Sequence, residues 1–110
     1  MVQGLSKRDE QVLEDVIKRL SPHFRVQRAV LFGSRSKGLA GPHSDYDVLV
    51  IADSSMPFGK RQGFALNLLW PRDYSIDLLV YTPAEYEASR SVPGSTVFWA
   101  ATEGRDFYAQ

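Results

Sequence analysis

The 110-residue sequence contains no cysteine and no apolar run long enough to cross a membrane. Without cysteine the chain has no disulfide, no thiol nucleophile and no zinc site built from thiolates. The lack of an apolar run near 18 residues argues against a membrane-spanning helix. The polar start, Met1 to Glu10, has no apolar signal core. We therefore expect a cytoplasmic protein with no membrane partner.

The sequence also lacks an excess of either charge, since 13 Lys and Arg are balanced by 13 Asp and Glu. Proteins that hold long nucleic acids usually carry a basic excess, because phosphate contacts dominate that affinity. A small charged substrate, neutralised by metal ions, fits this composition better than a long nucleic acid. The length and the 44% apolar content predict one globular domain over residues 1–110.

Hydrophobic periodicity predicts an α/β (α+β) fold, a small mixed β-sheet with helices packed against it. Ser6 is a candidate N-cap, and the capping box that begins at Thr82 starts a later helix. Predicted helices cover residues 7–20, 59–70, a segment after Thr82 and a segment from Ser95 to a cap at Gly104. Predicted strands cover residues 26–32, 45–52, 75–81 and 105–108. A short helix or tight loop is expected over 34–39, and a turn at Gly41-Pro42.

Three aspartates form the main candidate site. Side chains alternate along a strand, so Asp45 and Asp47 point to one face with Cα atoms roughly 7 Å apart. Beside the apolar run that follows, two carboxylates are unfavourable unless a cation lies between them. Asp77 interrupts an apolar strand, so three carboxylates converge if the two strands are neighbours. Carboxylates are the ligands that Mg²⁺ prefers, and two ions can clamp an in-line displacement.

A glycine turn follows the first predicted strand. Gly33 allows the backbone to approach a phosphate closely, and a turn that leads into a helix presents N–H groups that favour anions. The Ser34 hydroxyl and the Arg35 guanidinium are further candidate phosphate ligands. No Gly-Lys-Ser/Thr follows, so this is not a Walker A loop. Each feature alone has a structural explanation, but their combination predicts a nucleotide site.

Other conspicuous residues are assigned structural positions. Lys60 and Arg61 are expected on a solvated helix face, although a contact of Arg61 with a nucleotide phosphate is left open. The core is expected to contain the large aromatic residues Phe64, Trp70, Phe98 and Trp99.

The two motifs together resemble the signature of the DNA polymerase beta-like nucleotidyltransferase superfamily, which has a palm fold. Gly33-Ser34-Arg35-Ser36-Lys37-Gly38 is followed, after five residues, by Ser44-Asp45-Tyr46-Asp47-Val48-Leu49-Val50. Ile76-Asp77-Leu78-Leu79-Val80 matches the strand of the third acid. The resemblance is greatest to the minimal nucleotidyltransferases, which are single short domains with an ending similar to Ala101–Tyr108. Ser36-Lys37 and Tyr46 depart from residues common in that group without removing an acid.

The resemblance implies a metal-dependent enzyme that transfers a nucleoside monophosphate, AMP from ATP, to an acceptor hydroxyl. Gly33 and Ser34 would hold the phosphates of the NTP. Asp45 and Asp47 would coordinate two Mg²⁺ ions, with Mn²⁺ as an alternative, and Asp77 would bind the catalytic ion and help to activate the acceptor. Minimal members pair with a HEPN-type toxin, and some adenylylate a tyrosine of it. A toxin protein is therefore the expected partner, and an antitoxin role follows.

Two other functions stay open at this point. The first is nucleotide transfer to an antibiotic; relatives with that activity carry an added acceptor domain, which a homo-oligomer would have to replace here. The second is a non-catalytic module that masks a toxin through its surface. Such a scaffold has no need of converging acids.

Overall fold

The structure is a computed structural model that describes residues 4–38, 41 and 44–110. Its elements, in chain order, are α1 (Lys7–Leu20), β1 (Arg25–Phe32), a 3₁₀ helix (Ser34–Lys37), β2 (Tyr46–Asp53), α2 (Phe58–Leu68), β3 (Ile76–Tyr81), α3 (Pro83–Ser89), α4 (Thr96–Glu103) and β4 (Arg105–Ala109). The strands form one mixed sheet in the order β3-β2-β1-β4. β2 and β3 are parallel, and the other neighbours are antiparallel. The predicted fold class is confirmed.

Side-chain caps determine where α1 and α3 begin. The Ser6 hydroxyl accepts from the Asp9 N–H at 3.0 Å, and the Asp9 carboxylate accepts from the Ser6 N–H at 3.3 Å. Thr82 and Glu85 exchange the same two bonds before α3. These reciprocal bonds satisfy N–H groups that have no acceptor within the helix. Both predicted helix starts are confirmed. The predicted loop end at Leu39 and the Pro42 of the predicted turn lie outside the described residues.

The sheet separates two apolar clusters, and this decides which way the candidate site faces. On β2, Val48 and Val50 pack on the side of α1 and α2, whereas Leu49 packs with residues of α3 and α4. Because side chains alternate along a strand, Asp47 lies on the same face as Leu49. Within the described residues, no helix has both the length and the apolar character needed to span a membrane.

The core is mainly aliphatic, and the expectation that it contains the large aromatic residues was wrong for three of them. Trp70 is 72% exposed, Trp99 48% and Phe64 38%. The buried residues of α2 are Arg61 and Ala65, and Trp70 follows the end of that helix. On the inward side of the short helix α4, Val97 is buried. These three aromatic residues therefore contribute to the surface.

The cap at Gly104 is present, but glycine is required there for a different reason than a left-handed conformation. Gly104 is extended, with φ −75° and ψ 166°, and its N–H donates to the Ala100 carbonyl. A Cβ at this position would collide with that carbonyl oxygen and with Val30 Cγ1. Gly104 therefore allows the end of α4 to approach β1 closely.

Arg61 is buried, so its expected place on a solvated helix face was wrong. Its side chain is 3% exposed and forms a bidentate ion pair with Glu85, with distances of 2.5 and 3.1 Å. The guanidinium also donates to the carbonyls of Val80, at 3.0 Å, and Met56, at 2.9 Å. Glu85 neutralises its charge, and the contacts together hold α2 against the start of α3. Val80 is near the carboxyl end of β3, away from Asp77, so the structure gives Arg61 a structural role.

We predict that Glu85→Ala lowers the free energy of unfolding by about 3–5 kcal/mol, because it leaves the buried Arg61 charge uncompensated and removes the bond that Glu85 accepts from the Thr82 N–H. Urea denaturation measures this change. The control is Glu87→Ala on the same helix. Glu87 pairs with Arg90 in solvent, with side chains 68% and 49% exposed, and its loss is expected to change stability by less than about 1 kcal/mol. Equal effects of the two substitutions would contradict the structural role of Arg61.

Candidate active site

The parallel pairing of β2 with β3 brings two of the predicted aspartates side by side. Asp47 is the register partner of Asp77, and neighbouring strands lie only about 4.8 Å apart. The two carboxylates repel each other and lie within hydrogen-bonding range. Asp45 lies one residue before β2 and adds a further repulsion on Asp47. The strand adjacency that the candidate site requires is therefore present.

Burial and repulsion within this cluster change the pKa of Asp47. Its burial, then the charge of Asp77 and the hydrogen bond with it, then the charge of Asp45, raise the pKa of Asp47 to about 6. Each cause acts in the same direction, because burial and neighbouring negative charge both disfavour the ionised carboxylate. A cation placed here would favour the ionised carboxylate and lower the pKa of Asp47.

Asp77 is not enclosed by the apolar strand that it interrupts. Its neighbours in sequence are apolar, but β3 is an edge strand and the Asp77 side chain is exposed. Asp47, on the adjacent inner strand, is the half-buried member of the pair. Burial therefore acts on Asp47, the carboxylate of the inner strand.

The glycine turn lies directly against this pair. Gly33 has φ +72° and ψ −157°, a conformation that is essentially limited to glycine. A Cβ on Gly33 would collide with Oδ2 of Asp47. Glycine is therefore required at this position both by the backbone conformation and by the close approach of a carboxylate. Ser34, exposed, is the first residue of the 3₁₀ helix that follows.

Two residues that hold the turn were not identified from the sequence. Ser36 is buried, and its hydroxyl donates to the Gly33 carbonyl at 2.8 Å. Lys37 is about half exposed and pairs with Glu103 of α4 at 2.9 Å. A Ser three residues after a turn glycine is a weak local signal. The Lys37–Glu103 contact spans too much of the chain to be found without the fold.

The Arg35 guanidinium lies on the other side of the sheet from Asp47. It donates to the Asp9 carboxylate at 3.0 Å and lies over the Tyr46 ring, with its central carbon 3.9 Å from the ring centre. Tyr46 alternates with Asp47 on β2 and packs in the cluster of α1. These contacts do not favour the role of phosphate ligand that the sequence suggested for the Arg35 side chain.

The acids present a donor set that suits a hard divalent cation, but they do not form a completed cage. Among residues 4–38, 41 and 44–110, no three carboxylate or imidazole groups are already gathered for a metal ion. Mutual repulsion opposes such gathering until a cation neutralises it. Oxygen donors on neighbouring backbone positions, with phosphates and waters as further ligands, are the usual arrangement for Mg²⁺. The donor chemistry therefore fits a cation that binds together with a phosphate.

Comparison with known families agrees with this arrangement. The family model described as "Nucleotidyltransferase domain" matches residues 10–106, which contain the glycine turn and all three aspartates. The chain belongs to the nucleotidyltransferase domain family. A search of curated proteins gives no match.

Solved structures similar to this nucleotidyltransferase domain include toxin–antitoxin pairs. A variant of the pair MntA–HpeT is 29% identical, with a TM-score of 0.59 over 89% of this chain and 72% of that chain. A toxin–antitoxin structure with AMP-PNP is 26% identical, with a TM-score of 0.61 over 88% of this chain and 73% of that chain. A Sulfolobus solfataricus protein described as a nucleotidyltransferase shares the fold, with 16% identity and a TM-score of 0.67 over 99% of this chain and 94% of that chain.

We predict that Gly33→Ala destabilises this nucleotidyltransferase domain by at least about 1–3 kcal/mol, because the backbone conformation is strained and the new methyl group meets Asp47. The control is Gly38→Ala. Gly38 also has a positive φ, +71°, but a Cβ there would meet nothing within 4 Å. Urea denaturation of both variants compares the two effects. If Gly38→Ala costs as much as Gly33→Ala, the close contact with Asp47 has no energetic importance.

We predict that metal-free stability contains a contribution from Asp47 that is lost as pH rises. The folded-state pKa is raised from 3.8 to about 6, so this contribution is complete below the unfolded-state pKa and disappears as pH increases through about 6. Asp77→Asn removes one repelling charge and should reduce this loss. The measurement is urea denaturation in EDTA between about pH 4.5 and 7.5, for both proteins. A stability difference between them that does not change with pH would contradict the coupling of Asp47 to Asp77.

Proposed function

We propose that this nucleotidyltransferase domain transfers AMP from ATP to a hydroxyl group of a partner toxin protein, and so acts as an antitoxin. Asp45, Asp47 and Asp77 would hold two Mg²⁺ ions, which Mn²⁺ can replace. Gly33 and Ser34 would hold the triphosphate. The protein would act in the cytoplasm, where ATP and Mg²⁺ are available.

The contact between Gly33 and the Asp47 carboxylate is the observation that supports this proposal most directly. The glycine turn and the acidic pair are adjacent, so a phosphate bound at the turn would lie next to the carboxylates. Phosphate and carboxylate are both anionic, and they are compatible at this distance when divalent ions neutralise them. A glycine turn without acids, or an acidic pair without the turn, would not require divalent ions between a phosphate and carboxylates.

In the proposed reaction the acceptor oxygen attacks the α-phosphorus of ATP, the bond from that phosphorus to the bridging oxygen breaks, and pyrophosphate leaves. Bound Mg²⁺ ions would supply charge neutralisation at the phosphates. The chain itself orients the triphosphate through Gly33 and Ser34. Asp77 is the exposed carboxylate at the sheet edge, where an acceptor can approach, and it would help to take the proton of the hydroxyl. Most of the acceleration would come from positioning and electrostatic stabilisation.

Two relatives support the choice of nucleotide and acceptor. One similar structure is a toxin–antitoxin complex with AMP-PNP, and another is the pair MntA–HpeT. By analogy, we propose an adenine nucleotide and a toxin partner of the HEPN type. The large exposed side chains of Trp70 and Trp99 are of a kind enriched in protein interfaces, which suits a protein acceptor.

We predict that incubation of the partner toxin with this protein, ATP and Mg²⁺ adds adenylyl groups to the toxin and releases pyrophosphate. Asp47→Asn should reduce the rate at least about 100-fold, because the charge that neutralises the metal ions is lost at the centre of the site. Intact-mass spectrometry of the toxin and a pyrophosphate assay measure the two products.

The matched control is Asp53→Asn at the opposite end of β2. Asp53 is exposed and accepts from Gln27 at 3.1 Å, so its substitution should leave the rate unchanged. Toxin neutralisation without a mass change, unaffected by Asp47→Asn, would instead identify a binding module. Modification of an antibiotic and not of the toxin would identify a small-molecule transferase.

A further inference from the structure

Asp45 differs from Asp47 and Asp77 in how its backbone is held. Asp47 and Asp77 lie inside the ladder of the sheet, in register with each other. Asp45 lies just before β2, which begins at Tyr46. On its carboxyl side the chain is fixed, because the Tyr46 N–H donates to the Ser75 carbonyl at 2.9 Å. The position of Asp45 therefore depends on what holds the chain on its amino side.

Arg35 provides that second anchor. Its Nε and Nη2 atoms both donate to the Ser44 carbonyl oxygen, at 3.0 and 2.6 Å. This carbonyl belongs to the peptide group that joins Ser44 to Asp45. Two bonds from one planar guanidinium hold this carbonyl oxygen more firmly than a single point charge would.

Asp9 and Tyr46 hold Arg35 in turn. Asp9 Oδ1 accepts from Arg35 Nη1 at 3.0 Å and from the Tyr46 hydroxyl at 2.5 Å. The Arg35 and Asp9 side chains are only 9% and 14% exposed. Asp9 is itself fixed by the cap of α1, where its other oxygen accepts from the Ser6 N–H. The chain of contacts therefore runs from the start of α1 to the peptide group before Asp45.

We infer that Arg35 is a positioning residue, which acts with Asp9 and Tyr46 to hold Asp45 in place for the reaction. This inference rests on the proposed function, since it gives Asp45 a task in transfer. In this inference the guanidinium binds the protein backbone, and Gly33 and Ser34 bind the phosphates of the nucleotide. Misplacement of a reacting group by about 1 Å lowers rates by roughly 100-fold, so the network has a measurable effect.

The test compares Arg35→Lys, Asp9→Asn and the double variant in steady-state transfer assays. Lys keeps the charge but loses the paired bonds to Ser44. We expect each single variant to lower kcat by roughly 30- to 100-fold, with the KM for ATP changed less than about 3-fold. The double variant should be about as slow as either single variant, because both substitutions break the same network. If Arg35 bound phosphate directly, Arg35→Lys would chiefly raise the KM for ATP, and Asp9→Asn would act separately and additively. That pattern would overturn the inference.

The stability control is Thr82→Ala, which removes the hydroxyl cap of α3, outside the Arg35 network. It should lower Tm by about 4–8 °C while kcat stays the same. If kcat falls in proportion to Tm across all the variants, the network only stabilises the fold, and the inference is wrong.

A further measurement does not depend on catalysis. We expect amide hydrogen exchange at Tyr46, followed by NMR, to be at least about 10-fold faster in Arg35→Lys, while exchange at Val48 to Val50 is unchanged. Unchanged exchange at Tyr46 would contradict the positioning role. A wild-type protein without transfer activity would refute the proposed function, whereas this exchange comparison would still decide whether Arg35 anchors the segment.

Discussion

The parallel pairing of β2 with β3 places Asp47 against Asp77, and the rest of the site is arranged around this contact. Two like charges are held together here because the opposite faces of the same strands are buried. Val48, Val50 and Val80 are fully enclosed, and each contributes about 1.5–3 kcal/mol by leaving water. Two partly solvated carboxylates in contact repel by a few kcal/mol at the effective dielectric near a protein surface. The aliphatic core therefore outweighs the repulsion and keeps the carboxylates together.

The two ends of β2 and β3 have different arrangements of charge. At the amino end, where Asp47 and Asp77 lie, like charges meet and the pKa of Asp47 is raised to about 6. Beyond the carboxyl end, opposite charges meet in the Arg61–Glu85 pair, which fastens two helices. The first arrangement lowers stability unless a cation is present, and the second raises it. Because the strands separate the two, a change in the site need not disturb the contacts that maintain the fold.

The sequence predicted the features that depend on local patterns. Alternation placed Asp45 and Asp47 on one face, and the residues around Ser6 and Thr82 predicted the helix starts that are confirmed. The sequence predicted that the three carboxylates converge only if the two strands are neighbours. No local pattern gives the register that pairs Asp47 with Asp77. The burial of Arg61 depends on Glu85, 24 residues away, and the partners of Arg35 depend on the packing of α1. Long-range partners therefore decide where these two charged side chains lie, and for Arg61 the expected solvated face was wrong.

The contact of Gly33 with Asp47 has a thermodynamic consequence for the proposed reaction. A triphosphate at the turn and the carboxylates beside it would repel each other, so nucleotide binding would be weak without a cation. A divalent ion shared by both removes that repulsion, and the nucleotide and the ion should each strengthen the binding of the other by the same factor, as linkage requires. A proton on Asp47 opposes the ion at the same oxygen atoms. The half-buried carboxylate that weakens the metal-free fold is thus the group through which ATP, metal ion and proton would be coupled.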